Sequence, residues 1–448
     1  MQLRDYQQDL FDRIHTAIRG GTRDPIVVSP TGSGKTATFC YIAHRAAQAG
    51  NPVLILVHRR ELITQTSATL KRFGVPHGII QPGVTNDPAQ HVQLGMVQTI
   101  CRRTSKITIP KLIITDECHH AAAGSYRAIL TAFPDAVSIG FTATPVRLDG
   151  KGLADYYSEI IIGQTVEWLI EHGHLVRPRY FAPPMQASLA GVKKRGGDYA
   201  SNDLATAMDK ATVTGDAVTH YRRICPKSRA VAFCVNISHA QHVSEQFRSE
   251  GIPSGIIHGG LTPEQRRAVV DELSSGRIQV MTSVDVVSEG FDLPSAEVAI
   301  LLRPTASLGL HLQQIGRILR PSQNKQAVVL DHVGNLLRHG FAEDEREWSL
   351  DGIDKSAKKS ESLGMKQCKQ CFCLHKPAPE CPECGYVYPV PKAKEMTYLE
   401  ANLEELTRKP IQLALKECKT RNDLKILAKA RGYKPGFVYY KAKELGFR

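Results

Sequence analysis

The 448-residue sequence lacks several features that define other classes of protein. No apolar run approaches the ~18 residues that a membrane-spanning helix needs, and the densest is the short run Val53–Val57. The first residues carry charges where a secretory signal would have an apolar stretch, and no tandem repeat is visible. These absences predict a cytoplasmic globular protein without a membrane partner, which agrees with 42% apolar and 23% charged residues.

Positive charge is concentrated in the last fifth of the chain. The net charge is +13, and between Lys355 and Arg448 there are 20 Lys and Arg against 10 Asp and Glu. Such asymmetry favours a polyanionic partner, although a solvated basic surface would have the same composition.

Short apolar runs alternate with amphipathic stretches in two separate parts of the chain. The first series predicts strands and helices at Ile26–Val28, Lys35–Gln48, Val53–Val57, Arg60–Phe73, Leu112–Ile114, Ser125–Phe133 and Val137–Ile139. The second predicts them at Arg229–Val235, Ser238–Glu250, Pro263–Ser275, Arg277–Met281, Val298–Leu302, Ser307–Leu319 and Ala327–Leu330. Alternating strands and helices predict an α/β fold with two doubly wound parallel sheets.

A glycine-rich loop, Ser29–Thr36, follows the first predicted strand and opens a helix. Its backbone N–H groups are predicted to bind phosphate oxygens at Gly32, Ser33 and Gly34. Lys35 would reach the β and γ phosphates of ATP, and the Thr36 hydroxyl would hold Mg²⁺. Ser29 stands where the usual pattern has glycine, but the strand–loop–helix context still predicts a phosphate-binding loop.

Two carboxylates follow the apolar strand Leu112–Ile114. Asp116 at the carboxyl edge of a parallel sheet can orient Mg²⁺, and Glu117 can polarise the attacking water as general base. No other carboxylate cluster is visible, so nuclease activity is not expected.

Two arginines near the end of the second series complete the predicted ATPase. Arg317 and Arg320 are three residues apart, and the pattern predicts that both lie on one helical face. A cation supplied across a cleft assists attack on the γ-phosphate, so both are candidates for catalysis.

In the order and spacing of its motifs, from near the first residue to about Asn335, the chain resembles the superfamily-two helicases. The resemblance implies RecA-like P-loop NTPase lobes with ATP and Mg²⁺ between them, and an arginine-finger role for Arg320 beside Arg317. It also implies further nucleotide-binding residues: Arg4, Gln7, Gly290 and Asp292.

The same resemblance implies residues that contact the nucleic-acid strand, namely Arg59, Arg60, Gln98 and Thr99. It implies that other residues couple hydrolysis to movement, namely His119, Thr142, Thr144 and Gln313. The His-type spelling of Asp116–His120, with cysteines downstream, is most similar to RadD-type proteins and their phage relatives. That similarity implies a role in DNA repair, recombination or replication, a track of single-stranded or branched DNA, and a protein partner from repair or replication. An RNA track and an ATP-switched clamp are the alternatives.

Five of the eleven cysteines lie between Cys368 and Cys384. Two CxxC pairs, Cys368 with Cys371 and Cys381 with Cys384, have the spacing of a structural Zn²⁺ site. Cys373 and His375 are spare candidates, and either could replace Cys371. Because a tetrahedral site has no open position, the predicted role of the metal is structural.

The basic C-terminal stretch interleaves aromatic residues with lysines. Phe437 and Tyr440 are interpreted as the core of a small helical bundle, while nucleic-acid contact and plain solvation are equally compatible with Lys434, Lys441 and Lys443. The predicted organisation is therefore lobe 1 (1–170), lobe 2 (171–350), a linker (351–366), a zinc ribbon (367–390) and a basic helical module (391–448).

Overall fold

A computed structural model describes most of the chain. The described residues are 2–84, 87–120, 124–147, 152–182, 194–195, 198–199, 204, 211–287, 293–352, 365–388, 415–431, 433–434 and 436–447. They form two compact units, residues 1–388 and 389–448. Among the described helices, none combines the length and the apolar character that a membrane crossing requires.

Lobe 1 is a seven-stranded parallel sheet with helices packed on it. Its elements are α1 (Asp5–Arg19), β1 (Pro25–Val28), α2 (Lys35–Gln48), β2 (Val53–Val57), α3 (Arg60–Arg72), β3 (His77–Ile80), β4 (Val92–Met96), α4 (Val97–Ile100), β5 (Leu112–Asp116), α5 (Gly124–Ala132), β6 (Val137–Thr142) and β7 (Glu159–Ile162). The strand order is β3-β4-β2-β5-β6-β1-β7, with all pairs parallel. The central strands are buried on both faces, which is why their sequences are continuous apolar runs.

This strand order brings three functional segments together. Because β5, β6 and β1 are adjacent and parallel, their carboxyl ends meet at one edge of the sheet. Asp116 ends β5, Thr142 ends β6, and the phosphate loop follows β1.

Lobe 2 repeats the arrangement. Its elements are α6 (Val166–Glu171), β8 (Pro178–Phe181), β9 (Lys194–Arg195), β10 (Asp198–Tyr199), α7 (Ala211–Ile224), β11 (Ala230–Phe233), α8 (Ile237–Ser249), β12 (Ser254–His258), α9 (Pro263–Ser275), β13 (Val280–Val284), β14 (Val298–Leu301), α10 (Leu308–Gly316), β15 (Ala327–Asp331) and α11 (Asn335–His339). The order β12-β13-β11-β14-β15-β8 is parallel throughout. β9 and β10 form a separate antiparallel pair. The two sheets confirm the predicted fold class.

The cysteine-rich segment extends the sheet of lobe 2, which the sequence did not predict. β17 (Cys373–His375) pairs antiparallel with β8, and β16 (Lys366–Gln367) pairs with β17 at the edge. An ion pair between Arg179 of β8 and Glu383 adds a side-chain contact. The segment is therefore bonded directly to lobe 2.

One predicted boundary falls inside an observed element, and others lie in segments outside the described residues. The predicted end of lobe 1 at residue 170 falls inside α6, whose Leu169 is buried in a cluster made mostly of lobe 2 side chains. Most of the predicted linker, residues 353–364, lies outside the described residues, as do residues 389–414 of the predicted basic module.

The second unit contains two helices, α12 (Arg421–Arg431) and α13 (Gly436–Glu444), after a short helical turn at 415–417. Among its described side chains, those of Leu424, Ala428 and Ala442 are the buried ones. Tyr440 is 72% exposed, so its predicted core position is wrong, whereas Phe437 is half-buried against Tyr433.

Candidate nucleotide site

The phosphate loop is shaped by contacts within its own segment. Gly32 and Gly34 have φ of +90° and +86°, a left-handed conformation that glycine adopts without strain. The hydroxyls of Ser29 and Ser33 lie 2.7 Å apart, and Ser33 Oγ donates to the Pro30 carbonyl at 2.6 Å. The Ser29 hydroxyl thus braces the loop at the position where glycine is usual.

Lys35 begins α2, and its Nζ donates to the Ser29 carbonyl at 3.2 Å. The ammonium group is therefore directed back along the loop, towards the position where phosphate would lie. Thr36 follows in the first turn and lines the same cavity.

The segment predicted to contact adenine packs against the phosphate loop. Gln7 Nε2 and the Tyr6 hydroxyl both donate to the Ser33 carbonyl, at 3.1 and 2.8 Å. Gln7 Oε1 accepts from the Arg4 backbone N–H at 3.1 Å. The Arg4 side chain lines the cavity. In this structure the Gln7 side chain therefore holds the phosphate loop, and the hydrogen bonds of its amide group are made within lobe 1.

The two predicted catalytic carboxylates are buried at the end of β5. Asp116 and Glu117 are 4% and 8% exposed, and Asp116 Oδ1 accepts the Glu117 backbone N–H at 3.0 Å. Glu117 has φ of +49°, an uncommon conformation for a residue with a side chain, and such conformations are concentrated at functional sites. Carboxylate and hydroxyl oxygens are ligands that Mg²⁺ prefers, so Asp116 and Thr36 suit a magnesium ion.

A chain of polar contacts leads from Glu117 to the end of β6. Glu117 Oε2 lies 3.4 Å from His119 Nδ1, which lies 3.0 Å from Thr142 Oγ1. The Thr142 hydroxyl donates its one proton to the Thr144 carbonyl at 2.9 Å, so Nδ1 must be the donor in its contact with Thr142. His119 is thereby fixed in one orientation beside Glu117.

Lobe 2 approaches this series of polar contacts through two glycines of α10 that are seven residues apart. A Cβ atom at Gly309 would lie 2.9 Å from Thr144 Oγ1, and one at Gly316 would lie 2.5 Å from Thr31 Cβ. Only a residue without a side chain allows such close approach. Gln313, on the same helix, is 2% exposed.

The predicted helix through Leu319 ends earlier than expected. α10 ends at Gly316, and Arg317 is its C-cap residue, so the two arginines follow the helix instead of sharing one of its faces. Both nevertheless line the cavity that contains Lys35 and Glu117. Arg317 is 6% exposed, and burial lowers the pKa of Arg320.

The cavity between the lobes has a volume of about 760 Å³ and contains residues of both predicted half-sites. This volume lies within the ~300–1,000 Å³ of sites for small molecules and cofactors. Gly290 and Asp292 fall outside the described residues, so their predicted approach to the nucleotide is not described.

The four residues predicted to contact a nucleic-acid strand differ in their contacts and burial. Arg59 Nη1 donates to the Asp285 carbonyl of lobe 2 at 3.0 Å, and Arg60 lines the nucleotide cavity. On the four-residue α4, Gln98 is exposed but Thr99 is 8% exposed. The Thr99 side chain is buried, and the strand contacts of these four residues stay predictions.

Several residues at the site received no individual role from the sequence. The rings of His58 and His120 are tilted, with centroids 4.8 Å apart, and the ring centroid of His120 lies 4.2 Å from that of His119. Glu61 and Arg266 line the cavity from opposite lobes. The available sequence signal was a basic residue on an amphipathic helix, as at Arg266, but its partner Glu61 lies about 200 residues away in sequence.

The predicted zinc ligands form one cluster. The sulfur atoms of Cys368, Cys371, Cys381 and Cys384 all lie within 4.8 Å of one another. Two of the separations are 3.6 and 3.7 Å, close to the ~3.8 Å between sulfurs in a tetrahedral site with Zn–S bonds of ~2.3 Å. The cluster therefore fits Zn²⁺.

The two spare candidates have other contacts. The Cys373 thiol donates to the Leu374 carbonyl, and burial raises its pKa to about 12. His375 contacts the Tyr388 hydroxyl and the Lys376 carbonyl.

Two protein families match the chain. Residues 1–147 match the family "Type III restriction enzyme, res subunit", and residues 216–322 match "Helicase conserved C-terminal domain". A "51.5 kDa protein" of Lactococcus phage (isolate 7-9) is 33% identical over 404 residues, which cover 89% of this chain and 86% of the phage protein. "Putative ATP-dependent helicase IRC3" of Saccharomyces cerevisiae is 29% identical over 74% of this chain, which spans only 51% of the yeast protein.

Solved structures share the fold at lower identity. The type ISP restriction-modification enzyme LlaBIII bound to DNA has a TM-score of 0.55 at 18% identity, covering 74% of this chain and 27% of LlaBIII. S. cerevisiae Dbp5 bound to RNA and ADP BeF3 has a TM-score of 0.52 at 16% identity, covering 73% of this chain and 87% of Dbp5. The two family matches and the sequence relatives, together with the two half-sites around one cavity, show that the chain belongs to the superfamily-two DExH-type helicases, which hydrolyse ATP and act on nucleic acid.

Proposed function

We propose that this protein is an ATP-driven DNA translocase that separates strands, with a role in DNA repair, recombination or replication. The observation that carries the proposal is the contact chain from Glu117 through His119 and Thr142 to Thr144, which packs on Gly309 of lobe 2. A catalytic carboxylate linked in this way to the opposite lobe suits a machine that converts hydrolysis into lobe movement.

The residues around the cavity suit distinct steps of hydrolysis. The loop N–H groups and Lys35 bind the phosphates, while Thr36 and Asp116 hold Mg²⁺, which when bound neutralises charge on the phosphate oxygens. Glu117 accepts a proton from the water that attacks the γ-phosphorus. ADP then leaves, and the charge on its leaving oxygen is compensated within the site. Arg317 and Arg320 stabilise the transition-state charge from lobe 2.

DNA is the proposed track because two lines of support favour it. The first lobe matches a restriction-enzyme family, and the similar structure of LlaBIII contains DNA. RNA is the second candidate because Dbp5, which has nearly the same TM-score, is bound to RNA. The basic C-terminal stretch suits either polyanion.

The test is steady-state ATP hydrolysis by wild type and Glu117→Gln without polynucleotide and with single-stranded DNA, duplex DNA or RNA. We expect stimulation by DNA in the wild type and a loss of about 100- to 10,000-fold in the variant, the range for removal of a general base. Stimulation by RNA alone would replace DNA with RNA as the track. No dependence on any polynucleotide would contradict the proposal.

A strand-displacement assay with the same two proteins separates a helicase from an ATP-switched clamp. A helicase releases the displaced strand only with ATP and only in the wild type. DNA-stimulated hydrolysis without released strand would support the clamp and contradict strand separation.

A further inference from the structure

One ion pair joins the two lobes across the nucleotide cavity. Glu61 Oε1 of lobe 1 lies 2.7 Å from Arg266 Nη1 of lobe 2, and both residues line the cavity. The side chains are 19% and 16% exposed, respectively. By contrast, the ion pair between Arg222 and Glu250 lies within lobe 2, and its side chains are 53% and 51% exposed.

Local structure fixes both partners. Glu61 lies in the first turn of α3, where the partial positive charge of a helix N-terminus favours a carboxylate. Arg266 lies in the first turn of α9, which begins behind a capping box formed by Thr262 and Gln265. The start of α3 thus favours the charge of Glu61, and the capping box fixes the start of the helix that carries Arg266.

A second contact between the lobes starts two residues before Glu61. Arg59, the N-cap residue of α3, donates from Nη1 to the Asp285 carbonyl at 3.0 Å. The first turn of α3 therefore holds lobe 2 at two points. Both contacts require the lobes to be close together.

Burial determines how much the ion pair contributes. An exposed pair is screened by water and salt, and its contribution to stability is near zero. Glu61 and Arg266 are largely shielded while paired, so their attraction is screened less than that of an exposed pair. Hydration of the two groups in separated lobes offsets only part of this attraction in the proposed clasp. Their attraction therefore favours the closed arrangement, in which the cavity is bounded on both sides.

We propose that the Glu61–Arg266 ion pair acts as a clasp that keeps the lobes closed over bound nucleotide and slows the release of ADP. The two side chains are positioning residues, because they act through lobe closure and not on the reacting atoms. The inference rests on the proposed function only in requiring that the cavity bind adenine nucleotide.

The test uses charge reversal, measured as the dissociation rate of fluorescently labelled ADP in stopped flow. Glu61→Arg and Arg266→Glu each place like charges together, and we expect each to speed release about ten-fold, within the range of coupling between contacting residues. The double reversal restores opposite charges, and we expect its rate to return to within about three-fold of wild type. Reversing Arg222 and Glu250 singly and together is the matched control and leaves the rate unchanged.

Three results would overturn the clasp. Single reversals that leave ADP release unchanged would do so, as would a double reversal whose rate is the product of the single effects. If a reversal unfolds the protein, the neutral pair Glu61→Gln with Arg266→Gln replaces it: this pair lacks the attraction and should release ADP faster than wild type, and release no faster than wild type contradicts the clasp. Failure of wild type to bind labelled ADP would instead overturn the proposed ATPase site.

Discussion

The two lobes have the same strand order but differ at one edge of the sheet. In lobe 1, β1 lies between β6 and β7 and leads into the phosphate loop. In lobe 2, β8 has the corresponding place between β15 and β17, and the sequence after it contains no Gly-Lys-Thr. The same scaffold thus supports one half-site with a phosphate loop and one half-site that supplies Arg317 and Arg320.

The lobes also differ in how their functional groups are held. In lobe 1, Lys35 and His119 are fixed by bonds within the lobe, to the Ser29 carbonyl and the Thr142 hydroxyl. In lobe 2, Arg317 and Arg320 follow the end of α10, where Gly316 touches Thr31 of lobe 1. The first half-site is therefore held by hydrogen bonds within its own lobe, while the arginines of the second follow a helix end that lies against the other lobe.

Replacing a lobe 2 arginine should separate binding from turnover. We expect Arg320→Ala to lower kcat roughly 1,000-fold while ATP affinity changes only a few-fold, because an arginine finger acts in the transition state. Lys35→Ala should instead weaken nucleotide binding. Single-turnover kinetics and equilibrium binding measure both, with the exposed Arg222→Ala as control. Equal losses of affinity in both variants would remove the distinction between the half-sites.

Filling the space at Gly309 should slow turnover without weakening the fold. Gly309→Ala brings a methyl group to 2.9 Å from Thr144 Oγ1, so we expect kcat to fall about ten-fold as closure is obstructed. Gly309 is the second residue of α10, so the gain in helix propensity is small and offsets only part of the contact with Thr144. We expect the free energy of unfolding to change by less than about 1 kcal/mol. Gly124→Ala, which meets no atom within 4 Å, is the control. Normal turnover in Gly309→Ala would mean that this approach is unimportant.

Metal removal should affect the edge of lobe 2. The native protein should contain about one zinc per chain, and a chelator or Cys381→Ser should lower Tm by about 5–10 °C, because the metal holds a segment that pairs with β8. Cys101→Ser, outside the cluster, should leave the metal content and Tm unchanged. An unchanged Tm after verified metal loss would show that the cluster does not support the sheet.

Mild acid should destabilise lobe 2 through its buried histidines. Burial lowers the pKa of His332 to about 3, and that of His311 likewise, from an ordinary value near 6.5. Between these values the unfolded chain binds a proton that the folded chain excludes, so stability falls as pH drops below about 6.5. From about pH 7 to about pH 5.5, His332→Asn should lose about 1 kcal/mol less than wild type in urea unfolding. Parallel losses would contradict a neutral His332.

Local patterns predicted the parts of the site that lie within one segment. The phosphate loop and the carboxylates after β5 follow from residues that are adjacent in sequence. The end of α10 was missed because Gln313–Arg320 keeps a helical pattern, while contact of Gly316 with Thr31 is a tertiary feature. Glu61 and Arg266 have no pattern that links them.

The sequence also failed to predict a short strand and the exposure of an aromatic residue. β17 has three residues, too few for a recognisable alternation, so its pairing with β8 could not be predicted. Tyr440 was assigned to a core by its aromatic character, although a two-helix unit with three fully buried described side chains has little core to offer.

The pairing of β17 with β8 has a consequence for anyone who shortens this chain. A fragment that ends near residue 352 would contain both lobes but would leave Pro178–Phe181 as an open strand edge. The freed N–H and C=O groups of such an edge can pair with another molecule, which leads to aggregation. We expect the shortest fragment that does not aggregate to extend to Tyr388. A fragment of this chain cut near residue 352 should need a fused solubilising protein.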